Sequence, residues 1–468
     1  MSTPMSQISH IDESFYFSIF SSAKNIFLSQ KEMASNSTLL SEKVDEILAN
    51  RDPEKGLSPE DAATLLHLVR TSPDETLRSK VMAAAKAQRE RTFGHTVATM
   101  VPIEVSSFCA STCKFCGWRA DNKDMARLSI TTEAIRQQAK ILATKGFSHF
   151  EIAGGDDLKL LKESLPDLVN ALKTEVTKVN AASRVSICLV PMYEKNYSDL
   201  KKVGLDCVLT WQETYDEDLY NYHIPSGPKA WGVDENLKLQ KRSDKSVGFL
   251  HRLQSQEFSI RAGLQAGLGA MIGLSPTTEA DILSVVMHGQ KLLSHYGDHV
   301  QPMIIGMPAW NAIMTEDTDQ RIEEGFDFDT ENNFELLSAF YLLAFPDKQA
   351  WVFSNGRVAP EIQQACITTA ACFTSTQVEI APGAYLVGLN DADAEVDVVN
   401  FQRTHGFDED QITKKEILDG EQFKHYYELH ESFVEMFVEN GLNVVSDSSY
   451  LPAACASQSQ EDRIAEPA

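Results

Sequence analysis

Between residues 98 and 385 the chain alternates short apolar, β-rich runs with longer segments whose apolar residues recur every three or four positions. The short runs are "MVPIEVSS", "HFEIAG", "RVSICLVP", "CVLTWQ", "LGAMIGL", "VQPMIIGM", "AWVFSN" and "QVEIA". Between them lie amphipathic segments such as "TTEAIRQQAKILATKG", which keeps Ile135, Ala139 and Leu142 on one face and stops at Gly146. Strand followed by helix, eight times over, predicts an α/β fold, a (β/α)8 TIM-type barrel over 98–385. In such a barrel the βα loops converge at the C-terminal ends of the strands, so chemistry is expected there.

The flanks have different patterns. In "GLSPEDAATLLHLV", Ser58 stands where an N-cap belongs, Pro59 at the first helical position, and Ala62, Leu65 and Leu66 at helical spacing. A helical preface is expected over 46–97, after a Ser-rich, weakly patterned segment 1–45 expected to be disordered. Residues 386–455 are expected to form a helical extension packed on the barrel, with His425, His430 and the acidic run on a solvated face, and 456–468 a flexible tail.

Composition narrows the function. The chain has 468 residues, enough for one large domain with appendages, and its 67 acidic against 42 basic side chains argue against a nucleic-acid or anionic-membrane partner. No apolar run approaches the length of a membrane span, and the N-terminal stretch has neither a signal-peptide nor an Arg-rich transit pattern, so a cytoplasmic location is expected. The 8 Cys are too sparse for a disulfide scaffold, and five of them, Cys188, Cys207, Cys366, Cys372 and Cys455, are scattered.

The other three are not. "VSSFCASTCKFCGW" puts Cys109, Cys113 and Cys116 directly after the first strand, with no fourth Cys or His close behind. A structural zinc site closes with four ligands, usually two close pairs, and the second pair is missing. Three thiolates with a fourth position open suit an iron–sulfur cubane, whose free iron can bind a substrate or cofactor.

The loop Cys109-x-x-x-Cys113-x-Phe115-Cys116 resembles that of the radical S-adenosylmethionine (SAM) superfamily, in which an aromatic residue precedes the third Cys. The resemblance implies a [4Fe-4S] cluster whose open iron chelates the amino and carboxylate groups of SAM. The reduced cluster passes one electron to the sulfonium, giving methionine and a 5′-deoxyadenosyl radical that abstracts hydrogen from substrate. The protein's part is to position and shield that chemistry. Phe115 would pack near the adenine. A small-molecule substrate and a one-electron donor such as flavodoxin or ferredoxin are the implied partners.

Other stretches extend the resemblance. "FEIAGGDD" ends the second strand with Gly154, Gly155 and Asp156, similar to the Gly-Gly-Glu element that receives the SAM amino group, with Asp in place of Glu. "WQETYDEDLYNYHIPSGPK" resembles the subgroup of 2-iminoacetate synthase, the hydrogenase-maturation tyrosine lyase and the tryptophan lyase, and implies Gln212 and Glu213 near the SAM ribose. Arg252 precedes Gly263 by the family's spacing and would hold the SAM carboxylate as a bidentate pair. Residues 230–251 form a polar insertion longer than the subgroup's, on the active-site side, as a lid or partner-contact loop would be.

In "WVFSNGRVAPEIQ", Arg357 matches the Arg that anchors the substrate carboxylate in the tryptophan lyase and approaches a second cluster in biotin synthase; it is the candidate catalytic residue. The Glu that follows this Arg in the lyases is absent. Thr374 and Thr376 are lesser candidate contacts, and Cys188 and Cys207 are two of the three Cys a second cluster needs. The resemblance spans 58–390 and implies a radical SAM lyase of an aromatic amino acid, within a group associated with biotin and thiamine synthesis. Two alternatives stay open: a biotin-synthase-like enzyme forming C–S or C–C bonds, and a non-catalytic iron–sulfur electron-transfer protein.

Overall fold

In the computed structural model, eight parallel strands close on themselves: β1 Thr96–Glu104, β2 His149–Ala153, β3 Arg184–Cys188, β4 Cys207–Trp211, β5 Gln265–Gly269, β6 Met303–Gly306, β7 Ala350–Ser354 and β8 Phe373–Ser375. Each bonds its sequence neighbours, and β1 joins both β2 and β8, which makes the ring a (β/α)8 barrel. The structure describes residues 3–33, 37–71, 74–123, 125, 127–240, 246–310, 333–386, 422–423 and 425–445. Strands buried on both faces alternate with amphipathic helices such as Thr132–Thr144, capped by Thr131 and burying Ile135, Ala139 and Leu142.

Two strands are displaced from their expected places. β5 ends at Gly269, so most of "LGAMIGL" is loop, and β8 ends at Ser375 before "QVEIA" begins. Gln377 adopts φ 49°, a left-handed conformation that a strand cannot hold. The apolar alternation that follows packs a loop: Ile380 is buried, and the Tyr385 hydroxyl bridges the Gln377 carbonyl at 2.9 Å and the Glu379 N–H at 3.1 Å.

The region of the expected preface holds helices. The Asp61 N–H donates to Ser58 Oγ at 3.1 Å at the start of the helix Pro59–Thr71, and Asp74 caps the helix Glu75–Phe93. The segment 1–45, expected to be disordered, instead carries the helix Glu13–Met33, which buries Tyr16, Ile19, Ala23 and Phe27. That helical stripe was masked by Ser-rich surroundings.

At the other end, 387–421 and 446–468 lie outside the described residues, including Cys455, the tail 456–468 and much of the proposed helical extension. The rest holds the helix His430–Glu439 and an unexpected ninth strand, β9 Asn443–Val445, parallel to the start of β1. The expected solvated face is wrong for both histidines. His430 is buried, 3.0 Å from Thr376 Oγ1 and packed on Phe147, and His425 lines the barrel's central cavity. Among the described residues no helix is long and apolar enough to cross a membrane.

Candidate active site

The cysteine loop leaves β1 and is held by three other segments. The Asp156 N–H, after β2, donates to Cys109 Sγ at 3.4 Å, and the Asp156 carboxylate accepts from Ser111 Oγ at 2.5 Å. Thr112 N–H donates to the Ser226 carbonyl at 3.1 Å and Lys114 N–H to the His223 carbonyl at 2.8 Å. From the C-terminal segment, the Gln422 carbonyl accepts from Gly117 N–H at 2.9 Å.

Two glycines permit this packing. A Cβ at Gly155 would lie 2.3 Å from the Phe108 carbonyl oxygen, and one at Gly227, which also has φ 97°, 2.3 Å from that of Ala110. The second-strand Gly-Gly and the "IPSGPK" stretch are therefore, in the first place, the cradle of the cysteine loop.

Cys113 and Cys116 are buried and Cys109 half-buried. Burial pushes all three thiols above their ordinary range, Cys109 to about 12. A cationic centre is what would hold them as thiolates. Among the described residues no three His, Cys, Asp or Glu side chains converge as ligands of a single ion must.

One cavity at the C-terminal mouth of the barrel joins the loop to the strand ends. Phe115, Cys116, Gly154, Asp156, Glu213, Arg252 and Arg357 all line it. Glu213 holds φ 71°, rare for a residue with a side chain, and its carboxylate meets Arg252 at 3.0 Å and Lys229 at 3.3 Å. Arg252 donates from Nε to the Trp211 carbonyl at 2.8 Å, while its buried Nη1 has no partner among the described residues. Against the cost of burial, the Glu213 carboxylate keeps Arg252 charged. The Arg357 guanidinium lies over the Phe423 ring, 3.5 Å from its centroid, and burial lowers its pKa.

Other sequence candidates lie elsewhere. Gln212 is buried between Trp211 and Glu213 but faces away from the cavity, as strand alternation requires, with Nε2 3.4 Å from the Thr214 carbonyl. Gly263 has φ 76° and ends the helix Ser246–Arg261, so its spacing from Arg252 reflects a helix cap. Thr374 bonds the Ser354 carbonyl at 2.7 Å, and neither Thr374 nor Thr376 lines the cavity. Cys188 does, but Cys207 is buried at the start of β4. Of the insertion 230–251, residues 241–245 lie outside the described residues; the rest makes a turn closed by Val233 and Leu239 and starts the Ser246–Arg261 helix.

Several lining residues escaped sequence reasoning: Glu104 and Glu151 on β1 and β2, Lys229, Trp211, Gln422 and His425. A signal for the first two existed. A carboxylate inside an apolar strand of a parallel barrel has no solvated face to point to.

No family model matches this sequence. The chain is 30% identical to 2-iminoacetate synthase of Escherichia coli over 221 residues, 46% of this chain and 51% of that protein. To 2-iminoacetate synthase of Salmonella typhimurium it is 27% identical over 238 residues, 50% of this chain and 55% of that one. Its fold superposes on HydG, a maturase of the FeFe-hydrogenase, with a TM-score of 0.70 at 20% identity, covering 92% of this chain and 82% of that one. The chain thus spans about half the length of the curated relatives it matches. These relatives are radical SAM enzymes, and the resemblance to that superfamily first carried by the cysteine loop is borne out.

Proposed function

We propose that the chain is a radical SAM enzyme acting on an amino acid or amino-acid derivative in a lyase-type reaction. One observation carries this: the cysteine loop, the end of β2, the end of β4, the Ser246–Arg261 helix and the loop after β7 all present side chains to a single cavity. When bound by Cys109, Cys113 and Cys116, a [4Fe-4S] cluster would supply one electron to the sulfonium of SAM and so the 5′-deoxyadenosyl radical. The site suits both groups, since the three thiols are buried, with the cationic Lys229 acting on Cys113 and Cys116, and Arg252, which lines the cavity, has an Nη1 without a partner among the described residues.

The chain's own residues bind and orient. Arg252, held rigidly by Trp211 and Glu213, offers a planar fork for the SAM carboxylate. Gly154 and Asp156 stand beside it for the amino group, with Phe115 and Glu213 at the edges for adenine and ribose. Lys229 keeps cationic charge near the cluster loop. Arg357, across the cavity, offers the anchor for a substrate carboxylate, and Trp211 and Phe353, stacked 6.3 Å apart, exclude water from the barrel floor. A one-electron donor of the flavodoxin or ferredoxin kind would reduce the cluster.

Anaerobic reconstitution should load about four irons, and Cys109→Ala, Cys113→Ala or Cys116→Ala should each abolish loading. With dithionite the holoenzyme should cleave SAM to 5′-deoxyadenosine. Arg357→Ala should keep this uncoupled cleavage but lose its stimulation by substrate. An intact cluster that never yields 5′-deoxyadenosine would leave the electron-carrier alternative standing. About eight irons would instead favour the biotin-synthase-like alternative, for which Cys188 alone of the strand cysteines Cys188 and Cys207 is at hand in the cavity.

A further inference from the structure

Two carboxylates inside the barrel mouth have no part in binding SAM as proposed above. Glu104 ends β1 and Glu151 stands within β2; Pro102 pairs with Glu151 and Glu104 with Ala153, so the two glutamates are diagonal neighbours on the inward face. Both line the cavity, at 5% and 9% exposure. Among the described residues Glu104 Oε2 has no hydrogen-bond partner, and Glu151 bonds the Cys188 thiol. Burial and the neighbouring Glu151 push Glu104 up to about 8, while burial pushes Glu151 up to about 7 against the pull of Arg357.

Carboxylates buried in this way destabilise a fold unless something that binds there offsets them. An α-amino acid whose carboxylate meets Arg357 brings one ammonium. Once a bound cation draws Glu104 and Glu151 into their ionised forms, they and that carboxylate make three negative charges against two positive ones, Arg357 and the α-ammonium. A second ammonium on the ligand closes the difference. The floor also favours a slender chain: the Trp211 indole already fills the space above Gly306, where a Cβ would lie 2.4 Å from its ring.

We propose that Glu104 and Glu151 together receive a primary ammonium on the substrate's side chain, which makes the substrate an aliphatic diamino acid and not an aromatic amino acid. This rests on Arg357 as the anchor for the substrate carboxylate.

The test is equilibrium binding to the reconstituted, SAM-loaded holoenzyme, with L-lysine and L-ornithine as probes and L-norleucine and L-tyrosine as comparators. Lysine or ornithine should bind at least about tenfold more tightly than norleucine, which has the chain without the amine. In the double variant Glu104→Gln, Glu151→Gln that preference should vanish while SAM affinity stays unchanged. Norleucine or tyrosine binding as well as the diamino acids, no binding by either diamino acid, or a preference that survives the double substitution each overturns the proposal. The parent protein alone decides the first two outcomes, so a folding defect in the variant cannot mask them. The two readings fail separately: SAM cleavage stimulated by tyrosine alone overturns the ammonium receptor and leaves the radical enzyme, whereas no cleavage with any amino acid defeats the enzyme.

Discussion

Glu104 and Glu151 leave a mark on stability as well as on binding. With folded-state values of about 8 and 7 against an ordinary 4.5, both hold protons in the native barrel that the unfolded chain has already released. Over pH 4.5 to about 8 the unfolded state therefore binds fewer protons, and stability falls as pH rises through that window. The groups acting on Glu104 include Glu151, Arg357 and Tyr385, and Arg357 and Cys188 act on Glu151. Glu104→Gln removes one of the two protonations, so anaerobic thermal melts should show a flatter pH slope. At pH 8 the variant should be more stable than the parent by roughly 1–3 kcal/mol; a steeper slope in the variant would contradict the assignment. Gly155→Ala tests a contact of another kind: its methyl would meet the Phe108 carbonyl at 2.3 Å, so it should cost about 1–3 kcal/mol and lower iron loading, although no ligand atom is removed. The cysteines were legible because three thiols on one loop have few uses. The two glutamates were not, because each occurs singly in a different strand and only the barrel's closure sets them side by side.

Among the elements, the N-terminal helix shows how a single buried group can fix a segment of weak pattern. Glu257, on the Ser246–Arg261 helix and fully buried, accepts from Tyr16 at 2.6 Å, the Ile11 N–H at 3.0 Å and Tyr296 at 2.5 Å, with His10 Nδ1 at 2.9 Å. Charge-assisted bonds of this number make Glu257→Ala costly, by about 2–4 kcal/mol, since the buried Tyr16 hydroxyl loses its carboxylate partner and the Tyr296 hydroxyl keeps only weaker ones such as the Ser9 carbonyl at 3.4 Å. The variant should release residues 3–33 to limited proteolysis before the barrel opens, and Glu257→Gln should do so less. Cleavage patterns unchanged in Glu257→Ala would mean that apolar packing of Ile19, Ala23 and Phe27 alone suffices. The strands and helices of the barrel were legible because each repeat carries its own period. The N-terminal helix and β9 depend on distant partners, Glu257 for one and the start of β1 for the other, and no local window contains those.

The C-terminal segment, to which the sequence assigned no chemistry, ties the molecule together from base to mouth. Asn443 N–H donates to the His95 carbonyl at 2.7 Å below β1, Gln377 N–H to the Glu428 carbonyl at 3.1 Å beyond β8, and Tyr426 N–H to the Gly356 carbonyl at 2.7 Å beyond β7, while Gln422 reaches the cysteine loop. This segment also places Phe423 under the guanidinium of Arg357. Removing everything after residue 421 should therefore lower both melting temperature and iron loading, though every candidate cofactor residue remains. That alone would not separate bracing from substrate binding, and Phe423→Ala does. Loss of the stacked ring removes about 0.5–2 kcal/mol of support for Arg357, so KM for the amino acid should rise roughly two- to thirtyfold. Iron content and substrate-independent SAM cleavage should stay at the parent level, because the contact that is lost is the one with Arg357. A fall in iron content with KM unchanged would make Phe423 a part of the cluster's wall instead of a support for the substrate anchor.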